Sequence, residues 1–213
     1  MAELEDIVED GVAATVHRPD TDATATVILA HGAGGNRDAA ILRAYADEFT
    51  SRGVAAVRID LPYRLRRPKG PPSPSTSPAD RAGIAAACER FRDLSDGPLV
   101  IGGHSYGGRQ ASMLIAEDAS LAAGLFLSSY PLHPPGKPDR LRTEHLPSIT
   151  VPTLVIHGSS DPFAAPDELR AAMNLIDAQT DIVTVKAPHS LNPARTDVAR
   201  LAVDAALNLL IDV

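Results

Sequence analysis

Seven short apolar, β-branched runs recur along the chain, and helix-patterned stretches separate most of them. GVAATVHR (11–18) alternates like a half-exposed strand, and RPDTDA after it has turn chemistry. TATVILAH (24–31) is continuously apolar, as a strand buried on both faces must be. VAAVRID (54–60), PLVIGGH (98–104), AGLFLSSY (123–130), TLVIHGSS (153–160) and DIVTVKAP (181–188) repeat the pattern. Helical periodicity occupies 37–52, 79–95, 106–118, 166–178 and 194–211. Such alternation predicts an α/β fold, a mainly parallel sheet covered by helices on both faces. Ligands of these sheets bind at the carboxyl ends of the strands, so the residues that follow each strand are the informative ones.

The 213 residues, 44% hydrophobic and 22% charged, are expected to form one domain, 1–213. No stretch approaches the ~20 apolar residues of a membrane span, and the acidic MAELEDIVEDGV lacks the pattern of a signal peptide. The single cysteine, Cys88, lies in a helix-like stretch and reads as a small apolar side chain. It excludes an internal disulfide and makes a reducing cytoplasm the default location. A net charge of −7 argues against a general role on nucleic acid or anionic membranes. Arg64, Arg66, Arg67 and Lys69 form a local basic cluster, continued by the Pro-rich RRPKGPPSPSTSPAD (66–80). Two readings stay open for it: contact with an anionic substrate, or a solvated, extended, mobile loop.

Past the strand ending at Gly103 comes His104-Ser105-Tyr106-Gly107-Gly108, and then a helix. Gly103-x-Ser105-x-Gly107 is the G-x-S-x-G pattern. A serine that turns from strand directly into helix is forced toward positive φ, and its neighbours two away press together, so both must be small. The turn exposes the hydroxyl beside the free N–H groups of the helix start. Gly108 is expected to let the helix pack close to the sheet. The competing reading of Ser105 is an ordinary helix N-cap. Asp161, past the 153–157 strand, is either a helix cap or an acid that orients a histidine. His189, past the 181–187 strand, is either a loop histidine or a general base. The chain order Ser105, Asp161, His189, each beyond a separate strand, matches the Ser…Asp…His order of hydrolase triads.

His31-Gly32-Ala33-Gly34-Gly35-Asn36 follows the first buried strand. It supplies either a backbone N–H for an oxyanion, opposite that of Tyr106, or part of a dinucleotide fingerprint completed by Asp60. Against the second reading, the position of the third glycine holds Arg37.

HGAGG (31–35), GHSYGG (103–108), HGSSDPF (157–163) and APHSL (187–191) together resemble the α/β-hydrolases over nearly the whole length. The resemblance is strongest to the small, lid-less branch related to dienelactone hydrolase. DLPYR (60–64), RRPKGPP (66–72) and YPLHPPGKP (130–138) are similar to the testis-expressed and NSL-complex-subunit relatives. It implies a triad of Ser105, Asp161 and His189, with oxyanion amides at Ala33 and Tyr106. Dienelactone hydrolase has a cysteine where this chain has Ser105, so lactone specificity is not implied. Only about two dozen residues separate Tyr130 from the strand near Thr153, too few for a separate cap domain.

The expected activity is therefore acyl transfer by a serine esterase on a small-molecule ester, without metal or organic cofactor. Gly34, His104, Tyr130 and Leu132 are candidate substrate contacts, and Tyr130, Leu132 and His133 are expected at the mouth of the site unless they merely pack a Pro-rich loop. The alternative from another class is a non-catalytic interaction module built on the same fold. The natural ester and the oligomeric state are left open by the sequence.

Overall fold

The computed structural model describes residues 3–9, 11–134 and 136–211. Eight strands form one sheet: β1 (Glu3–Glu9), β2 (Val12–Arg18), β3 (Thr26–Ala30), β4 (Ala55–Asp60), β5 (Leu99–His104), β6 (Gly124–Ser128), β7 (Thr153–Gly158) and β8 (Thr180–Val185). Their spatial order is β1-β2-β4-β3-β5-β6-β7-β8. β2 runs antiparallel to both β1 and β4, and every other pairing is parallel. The helices are α1 (Ala40–Ser51), the short α2 (Pro62–Arg66), α3 (Ser77–Phe91), α4 (Tyr106–Glu117), α5 (Pro166–Met173) and α6 (Val198–Ala206). A wider turn, Leu207–Ile211, extends α6.

Strand periodicity explains how one sheet carries two cores. Successive side chains point to opposite faces. Ile28 and Ala30 of β3 therefore join the core under α3, α4 and α5, while Val27 and Leu29 join the core under α1 and α6. Ile84, Cys88 and Phe91 of α3 and Leu114 and Ile115 of α4 fill the first. Tyr45 and Phe49 of α1 meet Phe126 edge-on in the second, at centroid distances of 5.1 and 5.7 Å. Between β6 and β7 there is a loop with one short turn (Leu146–Ser148) and no cap domain. Among the described residues no helix is long and apolar enough to cross a membrane.

Two expectations about the strands need correcting. β1 was not anticipated, because ELEDIVE reads as an acidic terminus; it is a mostly exposed edge strand, paired with β2 and with Ile7 half-buried against the core. That pairing, with the helices above and below, is why β2 is buried through His17 rather than half-exposed. Its polar side chains are absorbed by partners: Arg58 Nε donates to His17 Nε2 at 2.8 Å. The dinucleotide reading also falls. Arg37 takes both oxygens of Asp60, by its N–H at 2.8 Å and Nη1 at 2.7 Å. α1 begins only at Ala40, so the glycines of 32–35 do not open a helix onto a phosphate.

Five of the seven histidines, His17, His31, His104, His145 and His157, are held below the ordinary imidazole value, chiefly by burial. His104 falls to about 3 and His145 to about 4. A folded value below the unfolded one means that the folded state binds fewer protons, so this stability is present above pH ~6.5 and lost as pH falls toward the folded values. His104 and His145 alone should remove roughly 4 kcal/mol by pH 5, about 2 from each, lowering Tm by about 8–16 °C relative to pH 7.5. Thermal unfolding by circular dichroism checks this; an unchanged Tm would mean that these imidazoles are solvated.

Candidate active site

β5 ends at His104, α4 begins at Tyr106, and Ser105 alone makes the turn, at φ 52° and ψ −113°. Such a conformation costs on the order of 1–3 kcal/mol at a residue with a side chain. The glycines make it possible by close approach. A Cβ at Gly103 would lie 2.0 Å from the Ala30 carbonyl oxygen, and one at Gly107 would lie 2.4 Å from the same atom. Gly108 lets α4 pack close to the sheet, as expected: its Cβ would lie 2.6 Å from the carbonyl oxygen of Gly103 in β5 and 3.5 Å from Leu127 of β6. Ser105 forms no side-chain cap on α4, which disposes of the N-cap reading.

The hydroxyl instead faces His189. His189 Nε2 lies 2.9 Å from Ser105 Oγ, and His189 Nδ1 lies 2.7 Å from Asp161 Oδ2. The three groups sit beyond β5, β7 and β8, so the parallel register of the sheet brings them to one edge. Asp161 is fixed from its other oxygen, where Oδ1 accepts the Phe163 N–H at 2.9 Å, and its side chain is fully buried. The Phe163 ring lies 4.2 Å from the His189 ring. On another side His104 lies 5.4 Å away, its Nδ1 3.2 Å from Ser128 Oγ. With its value pushed down to about 3, His104 is neutral at ordinary pH and places no charge against His189.

The glycine loop is clamped from below. Tyr63 Oη donates to the Ala33 carbonyl at 2.9 Å, and Arg64 donates through Nη2 to the same oxygen at 3.3 Å and through Nε to Gly35 O at 2.7 Å. Asp80, fully buried, accepts from the Tyr63 N–H at 2.9 Å and from Tyr106 Oη at 2.7 Å. One network thus joins the segments that carry Ala33 and Tyr106. Tyr106 N–H, first in α4, has no intrahelical partner by geometry. Arg64 is accordingly not part of an external basic patch: it is buried among carbonyls, while Arg66, Arg67 and Lys69 remain exposed. The Pro-rich segment is also more ordered than an extended loop, since a short turn (Pro74–Thr76) leads straight into α3.

Ser105 opens into a cleft of about 460 Å³, walled by Pro71, Pro72 and Pro74 on one side and Phe163 and Pro131 on the other. Ala33 and Tyr106 border it. Gly34 and His104 line a shallower depression of about 340 Å³ beside Ser105 and His189. Tyr130 and Leu132 do not reach the mouth. Both are core residues, 1% and 0% exposed, and Tyr130 Oη donates to the Arg142 carbonyl at 2.6 Å. His133 is buried as well, so ordinary packing explains all three. Phe163, Arg109, Gln110 and Arg142 line the cleft unforeseen. Helical spacing from Ser105 would have found Arg109, one turn on; Phe163 closes the HGSSDPF motif, which does not mark it as a cleft residue, and nothing in the sequence marks Arg142. Among the described residues no three His, Cys, Asp or Glu side chains are grouped to hold a metal ion.

Residues 23–206 match the family profile described as "Alpha/beta hydrolase domain". The chain belongs to the α/β-hydrolase family. This α/β-hydrolase is similar in structure to dienelactone hydrolase from Anabaena variabilis, at 21% identity and a TM-score of 0.77, covering 98% of this chain and 99% of the other. It is similar to Est1E from Butyrivibrio proteoclasticus, at 16% identity and a TM-score of 0.74, covering 97% and 98%. A Xanthomonas campestris protein described as an α/β serine hydrolase without lid matches at 18% identity and a TM-score of 0.72, covering 97% and 94%. At these identities the likeness establishes the fold, including the lid-less architecture.

Proposed function

We propose that the protein is a serine esterase that cleaves small-molecule esters through an acyl-enzyme on Ser105. The observation that carries this reading is the unbroken hydrogen-bonded line from Asp161 through His189 to a serine held in a strained turn. Strain of this kind persists where the surrounding structure imposes it, and here it presents the hydroxyl to the cleft. In the proposed reaction His189 Nε2 accepts the Ser105 proton as Oγ bonds to the ester carbonyl carbon. Asp161 accepts the Nδ1–H, keeps that tautomer and offsets the imidazolium charge. The N–H groups of Ala33 and Tyr106 receive the oxyanion, each contributing about 3–4 kcal/mol of barrier reduction. His189 then returns the proton to the departing alcohol, and water, deprotonated by His189, releases the acid. Similarity to a dienelactone hydrolase and to Est1E, which has also been solved with ferulic acid bound, agrees with esters of small carboxylic acids as the substrate class. The absence of a cap domain agrees with an open, adaptable site.

The test is hydrolysis of 4-nitrophenyl acetate and butyrate across pH 5–8. A histidine base must be neutral, so kcat/KM should rise with pH. Because His104 stays neutral in this range, the acid limb should have unit slope. A flat profile contradicts a histidine base, and a slope of two contradicts the assigned state of His104.

A further inference from the structure

Below Ser105 the cleft is lined by two arginines, Arg109 and Arg142. Helical spacing puts Ser105, Arg109 and Met113 on one face of α4 with Gln110 beside them, and all four line the cleft. Gln110 is fully buried; its Oε1 accepts from Ser77 Oγ at 2.7 Å and Arg81 Nη1 at 3.4 Å, while its Nε2 has no partner. Arg109 Nε is likewise buried without a partner. Buried donors are normally satisfied, and an unmet one costs about 1–3 kcal/mol. Arg142 enters from the loop after β6, anchored by Nη1 on the Pro131 carbonyl at 3.0 Å. Burial first, and then the Arg109 charge, hold the Arg142 guanidinium below its ordinary value. Asp139 and Glu144 share the outer depression with the two arginines, yet among the described residues neither arginine forms an ion pair with a carboxylate.

We propose that this end of the cleft binds a carboxylate carried by the ester substrate, with Arg109 and Arg142 as its charged partners. The proposal rests on Ser105 being the nucleophile, and it makes the substrate class an anionic ester. Guanidinium forks match carboxylate geometry, and both arginines line the cleft without a carboxylate of the protein to neutralise them among the described residues. Pro71, Pro72, Met113 and Phe163 supply an apolar passage for the stem between the ester and its charge. This moves the anion contact from the external 64–69 cluster, where Arg64 is occupied with carbonyls, to the interior of the site.

The experiment compares kcat/KM for monomethyl succinate and monomethyl glutarate with methyl butanoate and methyl pentanoate. A second pair, 4-acetoxybenzoate and phenyl acetate, places the charge on the alcohol side. At least one charged member should be preferred by about tenfold or more. Arg109→Met and Arg142→Leu should each lower that ratio by about tenfold, with Arg142→Lys keeping part of it; circular dichroism verifies folding. Calorimetric titration of Ser105→Ala with glutarate should show binding that Arg142→Leu abolishes. Equal turnover of charged and neutral members in both pairs overturns the proposal, as does a preference that survives both arginine variants. If no ester is cleaved while glutarate binds in an Arg142-dependent way, the hydrolase reading fails and the anion site stands. If neutral esters are cleaved without preference and glutarate does not bind, the reverse holds.

Discussion

Replacing Ser105 with alanine should lower kcat for ester hydrolysis by about four to six orders of magnitude while leaving the fold intact. The size follows from chemistry: without Oγ there is no covalent intermediate, and what is left is the contribution of oxyanion donors and binding to a water reaction. The fold should survive because, among the described residues, Oγ is hydrogen-bonded to His189 alone and caps no helix. Backbone strain at φ 52° persists with alanine, so thermal stability should change little. Steady-state kinetics on a 4-nitrophenyl ester, with the variant purified free of contaminating esterase, measures the loss. A residual rate within tenfold of the original would remove Ser105 from the mechanism.

Asp161→Asn should cost nearly as much, about 10⁴-fold in kcat, for a different reason. Asparagine keeps an oxygen for the Phe163 N–H, now at 2.9 Å from Oδ1, so the turn after β7 should hold. Its amide then points an NH2 group at His189 Nδ1, where a carboxylate accepts at 2.7 Å. Two donors cannot face each other, so the imidazole adopts the opposite tautomer, with its proton on Nε2. In that form it cannot accept the Ser105 proton. KM should change far less than kcat, because no substrate contact is altered. An equal loss in KM would point instead to a collapsed site.

How much of this was legible in the sequence depends on what kind of force sets each feature. The parallel strands were, because burial on both faces demands the continuous apolar runs seen at TVILA and GLFLS. The Ser105 turn was, because crowding against Ala30 admits only glycine at 103 and 107. β1 was not: an edge strand paired on one side, with Leu4 and Val8 exposed, has no hydrophobic pattern to announce it. Charge gave the wrong direction for Arg64, since composition cannot tell a solvated guanidinium from one drawn inward by carbonyls of a distant loop. Tyr130 and Leu132 were misplaced for the same reason, because loop position does not reveal packing. The cleft's own chemistry, Arg109 with Arg142 and Phe163 against His189, arises from segments far apart in the chain and needed coordinates.

The central claim is that Ser105 is an activated nucleophile, and the most direct measurement is covalent labelling of the folded protein with a fluorophosphonate, read by intact mass and peptide mapping. One equivalent should attach, on the Ser105 peptide, and Ser105→Ala should take up none. Labelling that is absent in folded wild-type protein, or that falls on another residue, would contradict the account.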